Sequence, residues 1–462
     1  MNQLPENLLS ELRLQQGFDE AAFLQAHQQL PNTSIRLNPK KKIDFSLAEK
    51  NEANHATIIP WCSNGFYLEK RPSFTYDPLF HAGCYYVQEA SSMFLEFVLQ
   101  QTVDLTQSLK VLDLCAAPGG KSTLVASLIN ENSLLVSNEV IKNRATILKE
   151  NISKWGSENV LVTNNDPKHF ERLENYFDVL IIDAPCSGSG LFRKEPNYLN
   201  EWNENLVSLC NQRQQRILAD IWKCLKPNGV LIYSTCSFSE SENEAIADWM
   251  MDELNAENIS IKIPTEFKIV ETKSKKHQAQ GFRFYPHLVQ GEGFFCCAMR
   301  KQNDNFEKPR LKKSKQKISP INKSILNNWL KNVDAYEFQQ KNEFIIAQPK
   351  SLIDEMEFIS SQLNVIKSGI CVGQLTHKDL IPDHELAMSN LLSDAIQKVE
   401  LNFEQAIQYL KKENLILNPS PTEKDFKTGW TMMQYQHQNL GWAKVLPNRI
   451  NNYYPMNGRI LK

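Results

Sequence analysis

The chain has 462 residues, enough for two to four domains of ~100–200 residues each. An apolar share of 42% supports sizeable cores, and 51 Lys+Arg against 53 Asp+Glu excludes a protein held to nucleic acid by bulk charge alone. No run reaches the ~20 apolar residues of a membrane span, and ten cysteines without a C-x-x-C pair speak against a zinc site and for reduced, mostly structural thiols in a soluble cytosolic protein.

The opening stretch MNQLPENLLSELRL lacks a basic n-region and alternates apolar with polar residues, as an amphipathic helix does and a signal peptide does not. Residues 1–105 mix helical and extended patterns, ending in Gly83–Ser92 (GCYYVQEASS) and the apolar run Met93–Leu99. Over 106–300 short apolar runs alternate with helical patterns. The predicted strands are Lys110–Leu114, Leu134–Asn138, Val160–Asn164, Val179–Asp183 and Gly229–Thr235; the predicted helices include Lys121–Asn130 and Asn205–Leu225. This alternation implies βαβ units in an α/β, doubly wound parallel sheet, whose ligands lie beyond the carboxyl ends of the strands. Arg300–Lys317 carries eight Lys or Arg against Asp304 and Glu307, with Pro309 inside and Pro320 after it. Residues 301–320 therefore read as a solvated basic linker that can also touch phosphate. Beyond it, 321–462 reads as a separate α+β unit with turn signals at Gly369, Gly373, Pro382 and Gly429.

The chemistry gathers at the strand ends. Val111–Thr123, VLDLCAAPGGKST, is a strand, a small-residue turn and a helix start, where backbone can approach a ligand and free N–H groups point at it. A Walker A loop needs glycine at 115; Cys115 stands there, and G-x-G-x-x-G is missing too. Glu139 ends the second strand, where a carboxylate can take both ribose hydroxyls. Asp166 follows the third strand and Asp183 ends the fourth. Any one such acid is ordinarily a turn or helix cap; acids at successive strand ends fit a nucleoside ligand better. Asp183 runs into Ala184-Pro185-Cys186-Ser187-Gly188-Ser189-Gly190, and the fifth strand ends in Tyr233-Ser234-Thr235-Cys236-Ser237. A lone strand-end cysteine is usually inert. Two at the rim that carries the ligand loop and Asp183 suggest nucleophilic chemistry.

These three segments, with IRLNP (35–39), YYVQEASSM (85–93) and GFRFYPHLVQGEGFF (281–295), resemble the NOL1/NOP2/Sun family of RNA cytosine-C5 methyltransferases. The likeness runs from Ser34 to Met299. The tail, with SGICVG, HELAM, LGWAK and NYYP, resembles the PUA-like RNA-binding appendage of family members that act on bacterial small-subunit rRNA. The resemblance implies a Rossmann-like methyltransferase core, an N-terminal α+β region that helps bind RNA, and a PUA-like module after the linker. It implies that Cys115, Ala116, Ala117, Pro118, Gly119, Gly120 and Lys121 wrap S-adenosylmethionine, that Glu139 takes its ribose and Asp166 its adenine, and that Asp183 lies between cofactor and base. Cys236 is the implied nucleophile, and Cys186 the residue that assists product release. The implied partner is RNA, as small-subunit rRNA or the assembling subunit, met by a monomer with no metal and no membrane contact. The core motifs leave tRNA open as substrate. A decayed enzyme kept as an RNA-binding assembly factor is the reading outside the enzyme class, and the intact cysteines argue against it.

Overall fold

The computed structural model describes residues 4–41, 43, 56–302, 323–376, 379–415 and 427–461. From residue 303 onward the expected basic linker lies outside the described residues. The strands, in chain order, are β1 Thr33–Leu37, β2 Ala56–Ile58, β3 Gly65–Leu68, β4 Tyr85–Val87, β5 Lys110–Asp113, β6 Leu134–Asn138, β7 Val160–Thr163, β8 Phe177–Asp183, β9 Leu225–Thr235, β10 Ala256–Asn258, β11 Val270–Lys273, β12 Gln280–Phe284, β13 Phe294–Lys301, β14 Tyr336–Lys341, β15 Phe344–Pro349, β16 Val365–Ser368, β17 Ile370–Leu375, β18 Leu380–Pro382, β19 Lys398–Glu400, β20 Gly429–Tyr435, β21 Gln438–Leu446 and β22 Arg449–Asn452.

The first helix, Glu6–Leu12, buries Leu8, Leu9 and Leu12 along one face, as the amphipathic pattern requires. That face joins Phe23, Phe192, Trp202, Phe238 and Tyr285, so the N-terminal helices pack on the catalytic domain. An antiparallel sheet in the order β2-β3-β1-β4 follows. Arg36 on β1 docks this sheet. Its guanidinium is buried, donating to Gln88 Oε1 (2.9 Å), Thr123 Oγ1 (2.6 Å) and the Gly120 carbonyl (3.2 Å), and it lies 4.7 Å from the Trp155 ring. The IRLNP and YYVQEASSM segments thus clamp the helix Gly120–Leu128 that opens the ligand loop.

The central sheet has the order β11-β12-β13-β9-β8-β5-β6-β7-β16, with β10 on β13. Strands β5 to β9 pair in parallel, and helices cover both faces, so these strands read as continuous apolar runs rather than alternating ones. This is a Rossmann-like core. The chain reverses direction across the sheet between β5 and β8, and the crevice beyond their carboxyl ends is where such folds hold ligands.

The C-terminal region departs from the expected separate unit. Strand β16 pairs antiparallel with β7, extending the catalytic sheet, through Val365↔Thr163, Lys367↔Val162 and Ser368↔Leu161. The helix Ile353–Gln362 lays Met356 and Ile359 into the core that holds Phe170, Tyr176 and Leu180. Two further four-stranded sheets, β14-β15-β17-β18 and β19-β20-β21-β22, complete the region. The basic, proline-marked segment suggests a boundary, but burial of apolar surface draws the chain back to the sheet edge. Met356→Ala is accordingly expected to cost ~2–5 kcal/mol of the catalytic domain's own stability. Denaturant unfolding checks this; an unchanged unfolding free energy would show the helix to be a mere appendage.

Candidate active site

The loop after β5 is held by backbone and by its neighbours. The Ala116 N–H donates to Asn138 O (2.8 Å), Arg144 Nη2 donates to Ala117 O (2.8 Å), and Asn151 Nδ2 donates to Pro118 O (2.8 Å). Gly119 sits at φ 118°, in the left-handed region, with Leu148 of the next helix against its Cα; a side chain there is strained and crowded. Gly120 then opens the helix, and Lys121 Nζ reaches Asp183 Oδ2 at 2.7 Å. Cys115 is part-buried; burial first, then the nearby carboxylates, push its thiol up, so it stays protonated.

Asp183 ends β8, held from two sides: Ser234 Oγ donates to Oδ1 (2.8 Å), and Lys121 pairs with Oδ2. Burial works against charge on Lys121, but the Asp183 carboxylate prevails and raises its pKa. β8 and β9 run in register, Asp183 beside Ser234, so the segments that follow them emerge side by side. As a result Cys186 Sγ lies 2.9 Å from Cys236 Sγ. The hydrogen bond to Cys236, and then burial, raise the pKa of Cys186 well above a free thiol, and either sulfur can donate in that bond.

Two glycines let these loops meet. A Cβ on Gly190 would lie 2.5 Å from Gly293 O and 2.8 Å from Cys236 O, and the Gly190 N–H donates to Cys236 O at 2.8 Å. Beneath the sulfurs, the buried Glu242 carboxylate accepts from Ser187 N (2.9 Å), Ser187 Oγ (2.6 Å), Ser237 Oγ (2.5 Å) and Gln214 Nε2 (3.2 Å). One side chain therefore ties both cysteine loops together. Burial raises its pKa against these donors.

Glu139 and Asp166 stand two and three strands from β8, at the ends of β6 and β7. Glu139 is buried; its Oε1 accepts from Ile141 N (2.9 Å), and Arg144 Nη1 is 3.4 Å from Oε2. Asp166 is exposed and caps the short helix Pro167–Leu173 through Lys168 N (3.0 Å). A third carboxylate, Asp113, went unremarked in the sequence. It is fully buried and accepts from Ser122 Oγ (2.7 Å) through Oδ2 only; its Oδ1 has no partner among the described residues. Burial raises its pKa to about 7. Its position two residues before Cys115, on an otherwise apolar strand, was the available signal.

Comparison with known proteins identifies the family. Residues 100–300 match the family model described as 16S rRNA methyltransferase RsmB/F, residues 4–90 the N-terminal domain of 16S rRNA methyltransferase RsmF, and residues 396–460 the methyltransferase RsmF PUA domain. The ribosomal RNA small subunit methyltransferase F of Shewanella woodyi is 30% identical over 442 residues, covering 91% of this chain and 89% of that protein. Its Escherichia coli namesake is 28% identical over 95% of this chain and 92% of its own length. Among solved structures, a methyltransferase homolog from Pyrococcus horikoshii superposes with a TM-score of 0.52 at 28% identity, over 64% of this chain and 100% of that one. Similarity of this extent, on a Rossmann-like core with an RsmF-type tail, places the chain in the family of ribosomal RNA small subunit methyltransferase F.

Proposed function

We propose that the protein methylates C5 of a cytosine in 16S rRNA, using S-adenosylmethionine and a covalent adduct between Cys236 and C6 of the base. The observation that carries this reading is the pair of sulfurs 2.9 Å apart, on the rim that bears the Lys121–Asp183 pair and the β5 loop.

The residues fit the cofactor. Asp113, Glu139 and Asp183 gather around a loop whose nearby cations are Lys121 and Arg144, and the unpartnered Asp113 Oδ1 suits a ligand bearing positive charge and hydrogen-bond donors. Cys115 to Lys121 would hold the methionine and ribose parts, Glu139 the ribose hydroxyls and Asp166 the adenine amino group. When bound, S-adenosylmethionine supplies an electrophilic methyl group.

Cytosine C5 is too weak a nucleophile to take that group unaided. Cys236 adds to C6, the sulfur–carbon bond forms, the electrons of the C5–C6 double bond move to C5, and the thiol proton of Cys236 passes by way of water to N3. Asp183, fixed by Lys121 and Ser234, faces the base and orients it. Cys186 donates its proton toward the Cys236 sulfur and so stabilises the thiolate before attack and at departure. After methylation the C5 proton leaves to a water that Cys186 positions, the N3 proton is released, the double bond re-forms and Cys236 is expelled as the thiolate. Unstacking the base costs a few kcal/mol in a duplex and less in a loop.

Small-subunit RNA incubated with the protein and methyl-labelled S-adenosylmethionine, then digested to nucleosides, is expected to yield label in 5-methylcytidine. Label in any other nucleoside would overturn the reading. Within the cofactor site, Glu139→Ala is expected to weaken S-adenosylmethionine binding about tenfold to a hundredfold, the loss of a charge-assisted hydrogen bond of roughly 1.5–3 kcal/mol. RNA affinity should stay unchanged. Calorimetry showing wild-type cofactor affinity would remove Glu139 from the site.

A further inference from the structure

A cavity of about 670 Å³ opens where the catalytic domain meets the C-terminal region, within the ~300–1,000 Å³ range of small-ligand sites. It shares no lining residue with the thiol pair. Helix Lys142–Trp155 contributes Lys149, Asn151 and Lys154; the β14–β15 hairpin contributes Lys341 and Phe344; the closing segment contributes Tyr454.

Its charges do not balance. Lys367 and Glu385 neutralise each other at 2.8 Å, both nearly buried. Asp383 Oδ1 accepts from Glu385 N (2.8 Å), and burial raises the Asp383 pKa. Glu150, at the rim, accepts from Asn457 Nδ2 (2.6 Å). Lys149, Lys154 and Lys341 form no ion pair among the described residues. The Lys154 ammonium lies 3.9 Å from the Phe80 ring centroid; burial, with the charge of Lys41 added, lowers its pKa to about 8. A second ammonium, Lys41, is held close by through the carbonyls of Ala82 and Lys154. These cations repel one another in a partly desolvated place, and an anion would relieve that strain.

The rest of the lining is flat and neutral. Phe344, 42% exposed, offers a ring face, while Phe80 lies under the Lys154 ammonium and Tyr454 is buried. Burial lowers the His384 pKa to about 4, so its imidazole is neutral, and its buried Nδ1 has no partner among the described residues. Three ammonium groups outside ion pairs, facing the rim carboxylate of Glu150 and the part-buried Asp383, together with an exposed aromatic ring are parts that recognise a phosphate and a base face.

We infer that this cavity holds an unpaired nucleotide of the RNA substrate, distant in the RNA from the methylated cytosine. Its phosphate lies against Lys149, Lys154 and Lys341, and its base against Phe344. The inference rests on the reading of the chain as an rRNA methyltransferase and gives that enzyme a second hold on its substrate. Asn151 lines the cavity while its Nδ2 bonds Pro118 O of the β5 loop, so one helix carries both holds.

Two variants at exposed positions test it in the full chain: the double substitution Lys149→Glu with Lys341→Glu, and Phe344→Ala. Binding of protein-free 16S rRNA is measured against salt, alongside calorimetry with S-adenosylmethionine, adenosine monophosphate and inorganic phosphate. The lysine variant is expected to lose about tenfold to a hundredfold in RNA affinity and to reduce the salt slope by about 1–2. Phe344→Ala should lose about tenfold, as for one stacked base, with its salt slope kept. Cofactor affinity should not move. Wild-type RNA affinity and slope in both variants would overturn the inference. So would tight binding of adenosine monophosphate or phosphate that the lysine variant loses while keeping its RNA affinity, since the site would then serve a free ligand. If the wild type binds as expected but labels no cytosine, the catalytic reading fails and the cavity's assignment stands.

Discussion

Cys236→Ala is expected to abolish methylation and covalent attachment to RNA, whereas Cys186→Ala should bind RNA covalently and fail to let go. The asymmetry follows from the roles proposed for two sulfurs 2.9 Å apart: Cys236 attacks C6, and Cys186, whose pKa the hydrogen bond to Cys236 and then burial raise, assists release. Without Cys236 nothing activates C5, and the rate should fall to background. Without Cys186 the addition and methyl transfer still proceed. The C5 proton then loses its route out and the departing sulfur loses its donor, so a denaturation-resistant protein–RNA species accumulates. Gel mobility with labelled RNA and S-adenosylmethionine separates the two, although total turnover would look poor in both. The double variant should form no adduct, because attack precedes release. An adduct in Cys236→Ala that is absent from Cys186→Ala would exchange the two roles.

The second large effect is expected beneath the sulfurs. Glu242→Ala leaves the Ser187 N–H and two serine hydroxyls buried without this acceptor, while Gln214 Nε2 keeps only Pro185 O. Each such group costs about 1–3 kcal/mol, and the costs do not add simply because the groups share one network. The melting temperature should therefore fall by many degrees. The consequence for activity is separate: Ser187 and Ser237 adjoin Cys186 and Cys236, the two cysteines proposed to act on the base, so releasing them lets the sulfurs drift apart. Glu242→Gln preserves volume and one acceptor, and folds more nearly as the wild type does. In that folded variant, adduct formation and its resolution should both slow, with the two steps changing by different factors. Wild-type rates for both steps in folded Glu242→Gln would reduce Glu242 to a purely structural support.

The strands from β5 to β9 were legible because each is buried on both faces and spells a run such as Val-Leu-Val or Val-Leu-Ile-Ile. Their ends carried the chemistry in plain view, since acids and cysteines interrupt those runs where the sheet stops. Local pattern could not disclose partners supplied from afar. Glu242 sits in the polar run Ser239-Glu240-Ser241-Glu242, which reads as a solvated helix start until Ser187 and Gln214 close around it. Arg36 looks like an ordinary strand cation until Gln88 and Thr123 meet it. Strand β16, only four residues long and half polar, acquires its place from β7, far earlier in the chain.

That last pairing imposes an order on synthesis. β7 leaves the ribosome long before β16 exists, so the growing catalytic sheet carries a bare edge whose N–H and C=O groups await a strand not yet made. Such an edge is a template for wrong partners. The nascent enzyme cannot close this sheet edge until β16, about a third of the way into its C-terminal region, has emerged. A message cut short after β13 would therefore yield an open-edged, aggregation-prone sheet in place of a smaller methyltransferase.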